Sequence, residues 1–262
     1  MADFIRYTVE EKVATLVIDH PPVNAFNKQT LLELDAALAA LLADANVKVI
    51  VITGAGQMAF AAGADIGEIG EIVKNKNESA ARTMIELGQK VFNEIEGSNK
   101  PVIAAINGFC LGGGLELAMS CHIRIAGDRS RFGQPEIGLG IMPAWGGTQR
   151  LPRIVGPSKA TEIMLTGDQI TAQQAMQLRL VNMVVPGGEV MRQSIGLAKK
   201  IAAKSAVSIT AILNSIREGL DVDLQAGLAA ERKNFVSVAS SADAQEGITA
   251  FLEKREAKFT DK

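Results

Sequence analysis

Cysteine is scarce in this chain, with only Cys110 and Cys121 among 262 residues, too few for a disulfide framework. Both stand in apolar surroundings, which suits small buried thiols in a reducing compartment. Histidine is equally scarce. Neither His20 nor His122 lies at ligand spacing from the other or from a cysteine, so no metal site is expected. Positive charge is not in excess either, since 27 Lys and Arg face 29 Asp and Glu, for a net charge of −2. That leaves no basic footprint for nucleic acid and no polybasic segment for an anionic membrane. No apolar run approaches the ~20 residues of a membrane helix. The start, Met1-Ala2-Asp3-Phe4-Ile5-Arg6, has neither the basic nor the apolar region of a signal peptide. The expectation is a cytoplasmic protein, or a mitochondrial matrix protein that has shed its transit peptide.

What is present is an ordinary globular balance, 47% apolar and 21% charged, enough for one large domain or one domain with an appendage. Residues 4–9 and 13–19 read as a hairpin around Glu10-Glu11-Lys12, ended by Pro21-Pro22. Asn27 should cap a helix carrying Leu31, Leu34, Leu38 and Leu41 at helical spacing. Val47 to Thr53 reads as a strand buried on both faces, and residues 55–67 as a loop. A helix is expected over 79–96, a buried strand over 102–106, a helix containing Glu116, and a short strand over 122–126. Strand, loop and helix thus recur, each turn expected to stack on the last. Beyond Pro186 the pattern becomes helical, over 188–203, 206–219, 222–237 and 242–258. Helices that cannot bury an apolar face internally usually bury it against another chain.

Four segments carry candidate chemistry. In Asn107-Gly108-Phe109-Cys110-Leu111-Gly112-Gly113-Gly114-Leu115-Glu116, three glycines can bring bare N–H groups close to a ligand at the positive start of a helix. Close packing of a helix start would explain them equally well. If Gly114 serves packing only, alanine there should be milder than proline at Gly113. In Phe132-Gly133-Gln134-Pro135-Glu136, Pro135 stiffens the loop that holds Glu136. Ala59-Phe60-Ala61-Ala62-Gly63-Ala64-Asp65-Ile66 is either a tight turn or a place where backbone approaches a ligand. Met142-Pro143-Ala144-Trp145-Gly146-Gly147 opens a further helix, and Trp145 is either a core residue or a substrate contact. Gly54-Ala55-Gly56 after a strand looks like a dinucleotide fingerprint, but its third glycine and the following acid are missing. Two carboxylates beside oriented amides suggest proton transfer to and from a substrate whose oxygen becomes negative.

Together, Ala59–Ile66, Lys100–Ala118, Phe132–Glu136, Gly146–Leu151 and Phe251-Leu252-Glu253-Lys254-Arg255 resemble the crotonase, or enoyl-CoA hydratase/isomerase, superfamily over nearly the whole chain. The resemblance implies an α/β (α+β) fold, a spiral of ββα repeats over residues 1–186 with a helical C-terminal trimerisation region over 187–262. It implies a homotrimer or homohexamer, and hydration of a 2-enoyl-CoA, an acyl-CoA thioester, with no cofactor beyond the coenzyme A of the substrate. Glu116 and Glu136 match the family's catalytic acid/base pair, and the N–H groups of Ala64 and Gly113 its oxyanion hole. Asn24, Ala25, Lys28, Ala62, Asp65, Ile66, Gly112, Pro135, Pro143 and Trp145 match substrate or CoA contacts. The chain departs from the family at Gly67, where a lysine is common, and at Trp145, whose bulk should favour short acyl chains. Alternatives are an enoyl-CoA isomerase or other acyl-CoA lyase on the same scaffold, and a non-catalytic RNA-binding relative.

Overall fold

The structure, a computed structural model, describes residues 3–262. The hairpin forms as expected, with β1 (Ile5–Glu10) antiparallel to β2 (Val13–Ile18). Asn27 caps α1 (Lys28–Ala43), its side chain accepting from Thr30 N. There follow β3 (Val49–Gly54), β4 (Ala59–Ala62), α2 (Ile66–Lys74) and α3 (Glu78–Glu96). The stretch expected to be a loop therefore holds a short strand and the start of a helix, which Asp65 caps by accepting from Glu68 N. The chain continues through β5 (Val102–Ile106), β6 (Phe109–Leu111) and α4 (Gly113–Ser120), then β7 (Ile123–Gly127) and β8 (Arg131–Gly133). A 3-10 turn over Pro135–Leu139 leads to α5 (Gly147–Val155) and α6 (Pro157–Thr166).

Each turn gives one strand to each of two sheets. The larger sheet has the order β1-β2-β3-β5-β7-β10, its last strand being Met183–Val185, and the smaller has β4-β6-β8-β9, ending in Ile170–Thr171. Between these last two strands lies α7 (Ala172–Gln177). Alternation along the buried strands sorts their side chains to two cores. Ile50 and Ile52 of β3 face the main core with Phe26, Phe92 and Leu115, while Val49 and Val51 face the core under α8 (Val190–Ala202). By packing, α8 thus goes with the sheet, although it lies in the strand-free stretch.

Beyond it come α9 (Ala206–Leu220), α10 (Leu224–Ala239) and α11 (Ala242–Leu252). The last helix ends six residues before the expected 258, and residues 253–262 fold back instead. Asp243, 1% exposed, accepts from Thr260 N at 2.7 Å and Asp261 N at 3.0 Å, and Lys48 pairs with Asp261.

One consequence of the smaller sheet decides where function can sit. β4, β6 and β8 run parallel, with Ala62, Leu111 and Gly133 side by side at their carboxyl ends. Open α/β sheets bind ligands beyond such ends. The Ala64, Gly113 and Glu136 turns all leave from that row.

Candidate active site

The turn after β6 can be made only by glycine. Gly112 has φ +52°, and a Cβ there would lie 2.6 Å from Glu136 Oε1. Gly113 begins α4, so its N–H is one of the groups that a helix start leaves without an internal partner. In the neighbouring turn, Phe26 N donates to Gly63 O and Asp65 N to Phe26 O, which leaves the Ala64 N–H free. Among the described residues neither the Ala64 nor the Gly113 N–H has an acceptor in the protein. Adjacent strands lie about 4.8 Å apart, so two such amides can serve one oxygen.

Gly114 serves packing, and of the closest kind. A Cβ there would fall 1.9 Å from Ala61 O on β4, so alanine cannot be mild. Gly113 packs on the other side against Trp145, where a Cβ would meet Cζ3 at 2.4 Å.

Glu116, only 2% exposed, lies one turn into α4. Its Oε1 accepts from Trp145 N at 2.8 Å and Gly147 N at 2.6 Å, two amides of the loop that opens α5. Oε2 has no partner among the described residues, so it can take a proton from water. Burial pushes this carboxyl up to about 7; the Gly147 amide opposes the rise and the charge of Glu136 adds to it. Glu136, on the 3-10 turn started by Pro135, is also raised above the ordinary carboxylate value by burial. Gln134 is fully buried behind it, and with its carboxamide oriented to suit its neighbours the nitrogen donates to both Glu136 oxygens at 3.1 Å. Both carboxyls are thus raised by burial, and Glu116 further by the charge of Glu136, which favours holding a proton at the site.

The remaining sequence candidates divide by role. Lys28 and Asp65 line a surface cavity of about 440 Å³ with Asn27, Gln29, Leu32 and Glu68, and Ile66 is exposed beside it. Ala62 and Ala25 do not line it; Ala62 N donates to Val23 O, and the Ala25 carbonyl accepts from His20 Nδ1. Asn24 is different. It is 3% exposed, its Oδ1 accepts from His20 N, and both of its side-chain N–H groups are spent on Ala55 O and Ala59 O, so it offers a ligand no donor. Pro143 is buried against Gly147.

Trp145 also differs from the expected substrate contact. Its ring is 4% exposed and stands edge-on to Phe26 and Phe92, with Nε1 donating to Met84 O on α3 at 3.3 Å. It reaches the site through its backbone N–H. Gln134 and Gly147 join the site although no sequence pattern marks them as site residues. A polar residue wedged between glycine and proline is the one local signal, and it concerns Gln134.

The family model for enoyl-CoA hydratase/isomerase matches residues 8–262. A crotonyl-CoA hydratase of Syntrophomonas wolfei is 45% identical, with 97% of this chain and 96% of that protein covered. A short-chain-enoyl-CoA hydratase of Clostridium acetobutylicum is 44% identical over 94% of this chain and 93% of its own length. Among solved structures, an enoyl-CoA hydratase from Bacillus anthracis superposes with a TM-score of 0.95 at 35% identity, covering 99% of this chain and all of that one.

Proposed function

The chain belongs to the enoyl-CoA hydratase/isomerase family, and on that footing we propose that it is an enoyl-CoA hydratase, a hydro-lyase adding water reversibly across the 2,3 double bond of a trans-2-enoyl-CoA. The observation that carries this reading is the convergence of Glu116 and Glu136 beside two unpaired amides. In the forward direction the water oxygen attacks C3 and Glu116 takes its proton through the unpaired oxygen. Electron density moves to the thioester oxygen, which the Ala64 and Gly113 N–H groups receive. One such donor is worth roughly 3 kcal/mol in the transition state. Glu136 then delivers its proton to C2, giving the 3-hydroxyacyl-CoA. The cycle leaves Glu116 protonated and Glu136 ionised, and exchange with solvent restores the pair. Raised values suit both groups, since Glu136 must start protonated and Glu116 must be basic enough to accept. The reaction needs no cofactor beyond the substrate's own coenzyme A, because the carboxyls move the protons and the amides take the charge.

The cavity lined by Lys28 and Asp65, with Ile66 exposed beside it, supports binding of the CoA portion, with Gly112 and Pro135 shaping the acyl end. The Trp145 indole closes the space between Gly113 and α3, which supports a preference for short acyl chains, in keeping with the names of the two bacterial relatives. The apolar surface of α9 and α10 supports a homotrimer, and pairing of trimers would give a hexamer. No helix of the described residues is long and apolar enough to cross a membrane. The buried, unpaired Cys110 and Cys121 suit a reducing compartment, the cytoplasm or the mitochondrial matrix. Crotonyl-CoA tests the function directly. The absorbance of the conjugated thioester should fall on adding pure protein, and an unchanged absorbance would reject the hydratase reading.

A further inference from the structure

One charged side chain beside the site has no part in the chemistry just assigned. Arg150, on α5, is 9% exposed, and its guanidinium spans two elements. Nε and Nη2 donate to Glu96 Oε2 at 3.0 and 2.6 Å, and Nη2 also donates to Asn93 Oδ1 at 2.6 Å, both partners lying on α3. Nη1 donates to Trp145 O at 3.0 Å. Trp145 is thus gripped from both sides, its carbonyl by Arg150 and its N–H by Glu116. Gly146 makes the grip possible. It has φ +112°, and a Cβ there would fall 2.1 Å from Arg150 Nη1.

Resting on the hydratase reading of Glu116, we propose that Arg150 is a positioning residue, clamping the 145–147 loop to α3 so that its two N–H groups stay aimed at Glu116 Oε1. A guanidinium suits the task because its planar fork reaches several acceptors at once, which an ammonium cannot do from one position. Its charge also acts on Glu116. The groups acting on that carboxyl are Glu136 on the 3-10 turn, the Gly147 and Trp145 amides, and Arg150 itself, with Glu96 on α3 beyond the guanidinium. Burial and Glu136 favour the protonated form, whereas Arg150 and the amides favour the ionised form that accepts the proton.

The test compares Arg150→Met, Arg150→Lys and Glu96→Gln with the wild type. It reads kcat and KM on crotonyl-CoA against pH, together with the Glu116 carboxyl titration by carbon-13 NMR, assigned through Glu116→Gln. Small displacements of a catalytic group can cost roughly 10²-fold in rate. Arg150→Met should therefore lower kcat by about that factor with little change in KM. Its pH optimum should move upward and its Glu116 titration should rise. Arg150→Lys should restore the titration but not all of kcat. Glu96→Gln, which keeps the guanidinium but loosens its anchor, should lie between them, and it carries the test if Arg150→Met does not fold. A folded Arg150→Met with an unmoved pH optimum and an unmoved titration overturns the proposal, even if its stability falls. If the wild type does not hydrate crotonyl-CoA, the function fails separately, and the titration alone still decides whether Arg150 governs Glu116.

Discussion

α4 and the α9–α10 pair are both apolar helices, yet their surroundings are opposite. Every residue of α4 from Gly113 to Ser120 is buried, and its glycines press against the β4 backbone on one side and the Trp145 ring on the other. α9 and α10 bury no residue at all, and Ile212, Ile216, Leu220, Leu224 and Phe235 are each more than half exposed. The first region is finished within one chain, whereas the second is shaped for a surface that one chain does not supply. Large exposed apolar patches mark interaction sites. On this view the chemistry and the assembly are written in separate parts of the molecule, and substitutions should be able to separate them.

The largest effect is expected in the finished region. Trp145→Ala empties a site packed by Phe26, Phe92 and Gly113, and should cost about 3–5 kcal/mol of stability. Adding Gly113→Ala to it should cost less than the sum of the two single changes, because the new methyl enters the space the indole left. Denaturant unfolding of all three variants measures this, and strict additivity would mean that the two residues do not share that space.

Next in size, Glu116→Gln and Glu136→Gln should each lower kcat by at least ~10² while the particle in sedimentation stays the same size. The double variant should fall short of the product of the singles, since both groups act on one transition state. Near-normal turnover in either single variant would remove that residue from the mechanism.

A smaller effect should follow pH. Below about 7 Glu116 gains a proton and cannot accept one from water, so activity falls as pH falls. At high pH Glu136 loses the proton it must give, so activity falls again. Rates measured across pH should form a bell belonging to the pair. A flat profile from acid to alkaline conditions would contradict the assigned roles.

The smallest change in folding stability belongs to the other region. Ile216→Asp with Phe235→Asp puts charge on exposed positions, so each should alter the stability of a single chain by only about 0.5 kcal/mol. The same pair should reduce the sedimenting mass several-fold. An unchanged mass would show that α9 and α10 are not the surface through which copies meet.

Much of this was legible along the chain where the signal is local. The hairpin turn, the Asn27 cap and the doubly buried β3 and β5 follow from periodicity and punctuation within a few residues. β4, β6 and β8 were not legible because they are only three or four residues long. Their extended form comes from pairing with one another across 20 to 50 residues of sequence. The closeness of packing at Gly114 is hidden for the same reason, since the atom that forbids a side chain there is Ala61 O on another strand. The role of Arg150 has no local signal because its anchors, Asn93 and Glu96, lie on α3. Glu116 and Glu136 stood out beside glycine turns, but their separate parts in the reaction came from the family resemblance rather than from spacing.

A hydratase adds water itself, with the oxygen going to C3 and a proton to C2. Crotonyl-CoA incubated with the protein in water enriched in oxygen-18 tests this most directly, with the product examined by mass spectrometry. The account expects 3-hydroxybutyryl-CoA carrying the labelled oxygen in its C3 hydroxyl, formed by the wild type and nearly lost in Glu116→Gln. A product with a shifted double bond and no label, or label entering equally fast in Glu116→Gln, would contradict it.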